Sequence, residues 1–200
     1  MARHEVHGMG IEYETVYRDV KYPRLEFKTG ELLLILPKNY RNHGELIEKH
    51  KNWILERYSF IEDALRESEN KKLLERTEEA FRDLVYSFVE DISRELKLNI
   101  NKVYFRRMKS KWGSCSSKRN LTVNTLLKYL PENLIKYVIF HEIVHLIERK
   151  HNEQFWKIIS QRFNDYPQKE RDLLVYWFLI QRVVRYDGEL PLSWLNPHFR

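Results

Sequence analysis

The first forty residues alternate between apolar and polar positions. In IEYETVY (11–17), β-branched and aromatic residues interleave with charges, and in RLEFK (24–28) Leu25 and Phe27 do the same. Thr29-Gly30 offers a turn, and LLLIL (32–36) follows, ended by Pro37. This period of two predicts strands. Residues 42–44 break the pattern, and from Glu45 the apolar spacing turns helical, through Leu46, Ile47, Trp53 and Ile54 to about Arg66. After an interruption at 68–70, a longer helix carries Leu73, Leu74, Phe81, Leu84, Val85, Phe88, Ile92 and Leu96 on one face, closed by Asn99 and Asn101.

Strand character returns in KVYFRRM (102–108). KSKWGSCSSKR (109–119) reads as a polar loop and NLTVN (120–124) as a short strand. Pro131 is suited to the first turn of a helix predicted over about 132–149. Asn152 can cap a further helix to about Phe163, and a last apolar helix spans about 170–184. The tail DGELPLSWLNPHFR reads as irregular. The predicted organisation is a β-rich part over 1–44, an α+β core over 45–172, and a helical extension and tail over 173–200.

Composition narrows the class. A hydrophobic share of 42% in 200 residues suffices for a packed core. The net charge of +6 and a pI of about 9.2 favour anionic partners in general. Glu is mixed among the scattered Lys and Arg, so a nucleic-acid partner is not favoured. The longest apolar run, LLVYWFLI (173–180), is far short of the ~18 residues a membrane span needs. With no apolar signal core at the start and a single cysteine, Cys115, the expected compartment is cytoplasmic.

Within the predicted helix 132–149 stands HEIVHLIERKH (141–151). On a helix, His141 and His145 share one face, a turn apart, and can hold one metal ion. Glu142 projects beside them, where a carboxylate can take a proton from water. Zinc suits imidazole ligands, and a catalytic zinc has three protein ligands with one position open. His151 is the natural third, provided the chain turns back after the helix. Metzincin proteases use this spacing with glycine at the turn; here Glu148 stands there, so the turn must differ. With 8 histidines in the chain, a chance pattern of this kind arises in on the order of one shuffled sequence in a thousand. One zinc per chain is expected.

The loop before that helix admits two readings. Its Trp112-Gly113-Ser114 stretch, with Lys111 and with Asn124 beyond, could form a substrate-binding edge for an extended peptide, or its lysines, Lys109, Lys111 and Lys118, could hold phosphates. Alternatively it is a structural turn with Trp112 packed as a plug. Cys115 reads as a small, partly buried thiol.

WGSCSSKRNLTVN followed by LPENLIKYVIFHEIVHLIERKHNEQFW resembles the YgjP-like metal-dependent hydrolases, zincins related to the SprT-like and WLM proteins. LEFKTGELLLILP and EKHKNWI resemble that family too, and the likeness covers about residues 10–172. It implies a minimal zincin-like α+β fold: an active-site helix, a small sheet and a helical backing, preceded by the β-rich part. It implies His141, His145 and His151 as ligands and Glu142 as general base or acid. Such proteins are often described as metallopeptidases, and a UTP pyrophosphatase activity has been ascribed to a member. The position after Lys118 often carries glycine in this family, whereas Arg119 stands here, and the chain runs on past the family's usual end. The expectation is therefore a zinc-dependent hydrolase of peptides. A nucleotide pyrophosphatase on the same site and a nucleic-acid-associated module with a structural metal are the alternatives. Oligomeric state is not legible.

Overall fold

The computed structural model describes residues 3–6, 10–28 and 31–184. The expected turn at Thr29-Gly30 and the tail 187–200 lie outside the described residues. Residue contacts divide the chain into two units, one ending at Asp63 and one beginning at Ala64.

In the first unit, strands β1 (Arg3–Val6), β2 (Ile11–Arg18), β3 (Arg24–Lys28) and β4 (Glu31–Pro37) form one sheet in the order β1-β2-β4-β3. β2 and β4 run parallel, from Tyr13 beside Leu32 to Arg18 beside Pro37; the other pairs are antiparallel. β2 is half-buried as its alternation predicts, with Ile11, Tyr13 and Thr15 inward. β4 lies between two strands and buries Leu32, Leu34, Ile35 and Leu36. The single helix expected from Glu45 is two: α1 (His43–Lys49), capped by the Asn42 side chain on Glu45 N–H, and α2 (Lys51–Glu69), within which the division between the units falls. The break falls at His50. α2 runs through Ser68 and ends at Glu69, so 68–70 terminates a helix instead of interrupting one.

In the second unit, helix α3 begins at Glu78 and not near Leu73. The preceding backbone is engaged elsewhere: Leu74 N–H donates to the Tyr129 carbonyl at 2.9 Å, and Arg76 donates to the carbonyls of Lys128 and Leu130. Thr77 then caps α3 (Glu78–Leu96) by accepting from Ala80 N–H. Strands β5 (Lys102–Arg106), β6 (Gly113–Cys115) and β7 (Asn120–Asn124) form a second sheet in the order β5-β7-β6, with β5 parallel and β6 antiparallel to β7. β6 lies inside the segment expected to be loop. Its Gly-Ser-Cys sequence has no strand pattern of its own and is extended because its backbone pairs with β7, Ser114 opposite Thr122.

A 3-10 turn (Thr125–Tyr129) leads to α4 (Glu132–Val144), and α5 (Glu153–Arg162) and α6 (Tyr166–Val183) follow. α6 starts four residues earlier than expected, with a proline in its first turn, and continues through residue 173 unbroken. α4 is the centre of the unit: α3, α5, α6, β6 and β7 all touch it. Leu134, Ile135 and every residue from Tyr137 to Val144 are buried, while Glu132 and Asn133 in its first turn are exposed. No described helix is long and apolar enough to cross a membrane.

Trp112 is fully buried and meets Trp177 of α6 edge to face, centroids 4.8 Å apart. This contact pins the segment entering β6. Trp112→Ala should therefore cost ~3–5 kcal/mol, a fall of roughly 10 °C in melting temperature for a chain of this size. A thermal melt checks it; a fall of under ~2 °C would show that the ring is not a core element.

Candidate metal centre

α4 stops where the chemistry begins. His145 is its C-cap, with φ −63° and ψ −11°, so the expected continuation to Arg149 does not occur. The chain turns instead: Ile147 N–H and Glu148 N–H both donate to the Val144 carbonyl, at 2.8 and 2.9 Å. The Glu148 side chain accepts from Lys150 N–H at 3.1 Å. Among the described non-glycine residues only Lys97 and Arg119 have positive φ, so this turn is made without the left-handed residue for which a glycine would be needed. Asn152 then caps α5 by accepting from Phe155 N–H at 3.0 Å, leaving His151 directly before the cap.

The turn brings the three imidazoles together. Nε2 of His151 lies 3.0 Å from Nε2 of His141 and 3.1 Å from Nε2 of His145. One candidate ligand atom from each of the three lies within 4.8 Å of the others. For comparison, neighbouring ligands on a tetrahedral ion bonded at ~2.0–2.1 Å are roughly 3.3 Å apart. Protonation fits as well. His145 Nδ1 faces the Glu148 carbonyl at 3.1 Å; a carbonyl only accepts, so Nδ1 holds the proton and Nε2 presents its lone pair. Burial, and then the neighbouring His151 and His145, holds the His141 pKa well below the usual imidazole value. Burial likewise lowers that of His145. Neutral imidazoles are what a metal takes, and the three histidines fit a zinc site with one position left open.

Glu142 points from α4 toward β6 and is 4% exposed. Its carboxylate accepts a hydrogen bond from the Cys115 backbone N–H. Burial raises its pKa to about 8, against the opposing pull of Lys111 and of that N–H. The close approach depends on Gly113. A Cβ there would lie 2.8 Å from Glu142 Cγ and 3.3 Å from the Thr122 carbonyl. Burial, then the Glu142 charge, pushes the Cys115 thiol up to about 12, so it stays protonated at neutral pH.

A cavity of about 660 Å³ opens over these groups. Of the residues expected to contact substrate, Lys111, Gly113 and Ser114 line it, together with Glu142 and the three histidines. Trp112 and Asn124 do not; both are fully buried. Asn124 donates to the carbonyls of Met108 (2.9 Å) and Lys111 (2.7 Å) and accepts from Met108 and Leu126 N–H. It fixes the loop that carries Lys111. Lys109 and Lys118 are not among the lining residues. Arg119 and Arg149 are, and only the fold reveals Arg149. Arg119 adopts φ +59° itself, so the turn keeps the left-handed backbone that glycine favours. This conformation costs a non-glycine residue ~1–2 kcal/mol. It is held by Arg119 N–H on the Ser116 carbonyl and by Asn101, whose N–H and amide reach the carbonyls of Arg119 and Lys118.

The family model described as YgjP-like, metallopeptidase domain, matches residues 26–175. A curated relative, the UTP pyrophosphatase of Escherichia coli (strain K12), is 30% identical over 60 residues. That is 30% of this chain, and the chain covers only 36% of the relative's length. The crystal structure of the metallopeptidase zymogen abylysin of Pyrococcus abyssi is similar with a TM-score of 0.40 at 21% identity, covering 50% of this chain and 95% of that one. For the zymogen jannalysin of Methanocaldococcus jannaschii the TM-score is 0.41 at 25% identity, with 48% and 97% covered.

Two predictions follow from Glu142. In chelator-treated protein below pH 4.5, both folded and unfolded states hold its proton. Between 4.5 and about 8 the unfolded chain releases it while the folded one keeps it, so stability falls as pH rises through that window, by ~1.4 kcal/mol per unit. The lowered histidines act in the opposite sense up to about pH 6.5, but Glu142→Gln shares them. Urea unfolding should show wild type losing ground to Glu142→Gln by a few kcal/mol between pH 4.5 and 8; parallel profiles would contradict it. Gly113→Ala should lower stability by ~1–3 kcal/mol through the clash with Glu142 Cγ, read by the same titration at pH 7; an unchanged midpoint would show the approach to be soft.

Proposed function

We propose that this chain, which belongs to the YgjP-like, metallopeptidase-domain family, is a zinc-dependent hydrolase of peptide bonds. Family membership makes it a metal-dependent hydrolase; zinc and the peptide are the finer reading. The observation that carries it is the convergence of three imidazole nitrogens beside a buried carboxylate at the floor of one cavity. His141, His145 and His151 would hold one ion per chain. When bound, zinc supplies Lewis-acid polarisation of a carbonyl and makes water more acidic.

The protein's own groups do the rest. Burial raises the Glu142 pKa to about 8 without metal; a bound cation would favour the carboxylate, which can accept a proton from water and return it to a leaving amine. Lys111 stabilises the intervening carboxylate form. Among the described residues β6 has a strand neighbour on one side only, and its Gly113, Ser114 and Cys115 line the cavity. An extended peptide can therefore be aligned along it. The single cysteine supports a cytoplasmic setting.

One observation favours a second reading. Lys111, Arg119 and Arg149 line the same cavity and could hold the phosphates of a nucleoside triphosphate, the kind of substrate named for the UTP pyrophosphatase relative. Three imidazoles are a poorer fit to the oxygen-rich magnesium sites usual for that chemistry.

Purified protein should carry one zinc per chain by elemental analysis and should cleave a casein-type substrate in preference to nucleoside triphosphates. Glu142→Gln should keep its zinc and lose turnover by ~10²–10⁴-fold on whichever substrate is cleaved. Wild-type turnover in that variant, or full zinc retention in His151→Ala, would refute the assignment.

A further inference from the structure

The motif NEQFW (152–156) follows His151, and the proposed chemistry does not use its aromatic pair. Phe155 is fully buried, and its ring touches all three imidazoles. Centroid distances are 4.9 Å to His141, 4.7 Å to His145 and 4.7 Å to His151. It stacks on His145 at 26° and meets the other two edge to face. Trp156 is only partly buried, so filling the core does not account for it. Its indole N–H donates to the His151 carbonyl at 3.2 Å, and its ring lies 5.6 Å from the His151 ring. The indole is braced in turn by Tyr166, stacked at 5.2 Å and 22°.

His151 needs this support more than its partners do. His141 is inside α4 and His145 caps it, so the helix fixes their backbones. His151 sits in the connection between α4 and α5, where helical hydrogen bonding does not hold it. Asn152 fixes Phe155 and Trp156 relative to it, by accepting from Phe155 N–H and, through its carbonyl, from Trp156 N–H at 3.1 Å.

Resting on the metal reading above, we propose that Phe155 and Trp156 are positioning residues that assemble the imidazole triangle before metal arrives. Phe155 sets the spacing of the three rings, and Trp156 anchors the one ligand that no helix holds. The ion then meets a formed site, and the cost of ordering His151 is met in folding and not in binding. Groups that orient metal ligands from outside commonly change affinity by ~10–100-fold when removed.

The test is zinc affinity by chelator competition on the full chain, with the absorption spectrum of the cobalt-substituted protein as a readout of ligand geometry. Trp156→Phe keeps an aromatic ring and removes only the N–H donor; Phe155→Leu keeps apolar bulk and removes the ring. Ile159→Val, on the same helix and as buried as Phe155, serves as the control for simple loosening of α5. Both aromatic variants should bind zinc ~10–100-fold more weakly and shift the cobalt spectrum, while Ile159→Val stays within about twofold of wild type. Should Phe155→Leu not fold, Trp156→Phe alone decides. Unchanged affinity and spectrum in Trp156→Phe, or an equal loss in Ile159→Val, would overturn the proposal while leaving the three-histidine site intact. Absence of zinc binding in wild type would overturn both.

Discussion

The second unit is organised around a helix that is buried along most of its length, from Tyr137 to Val144 on every side. α4 is packed by α3, α5, α6 and two strands, yet it carries a histidine and a glutamate that are almost wholly withdrawn from solvent, at the wall of the cavity. A buried polar group costs free energy unless something in the protein replaces water. Glu142 obtains the Cys115 N–H and the field of Lys111. That in turn requires β6 to run close by, which requires a residue without a Cβ at position 113. His141 is enclosed by aromatic rings and by the other two imidazoles. The sheet, the glycine and the aromatic wall are consequences of placing the chemistry inside.

The second requirement is that α4 end on time. Had it continued, His151 would lie six residues beyond His145, ~9 Å further along the axis at 1.5 Å per residue, and no common ion could be shared. Ending at His145 folds the chain back, and the His145 ring secures that turn by donating to the Glu148 carbonyl. One hydrogen bond thus fixes both the tautomer of a ligand and the path that returns the third. Glu148 and Arg119 both occupy positions where glycine is the usual solution. The first avoids a left-handed conformation altogether. The second accepts it, secured by Asn101.

With the histidines neutral, Lys111, Arg119 and Arg149 face Glu142 as the single acid lining the cavity among the described residues. The lining is therefore net basic among the described residues, and β6 forms the edge of its sheet.

Local pattern was enough to read much of this from the residues alone. Alternation marked β2, and helical spacing marked α3, where Phe81, Val85 and Ile92 are buried together with Val89, which that spacing did not single out, and Leu84, Phe88 and Leu96 are half-buried. The i, i+4 histidines and the glutamate between them were legible because a helix maps sequence spacing directly onto one face. What the sequence did not contain was anything decided by a distant partner. β6 is a strand only because β7 offers it a backbone to pair with. α3 starts late because Leu74 and Arg76 bond to residues 128–130. Asn124 looks like a rim residue in sequence but ties a loop, and of the two readings open for Trp112 the packing against Trp177 selects the plug. Arg149 reaches the cavity beyond the end of the helix, which stops at Val144. Spacing along the chain determined which ligands could exist. Tertiary hydrogen bonds and packing decided where helices stop and which side chains reach the site, because their free energies depend on partners that are remote in sequence.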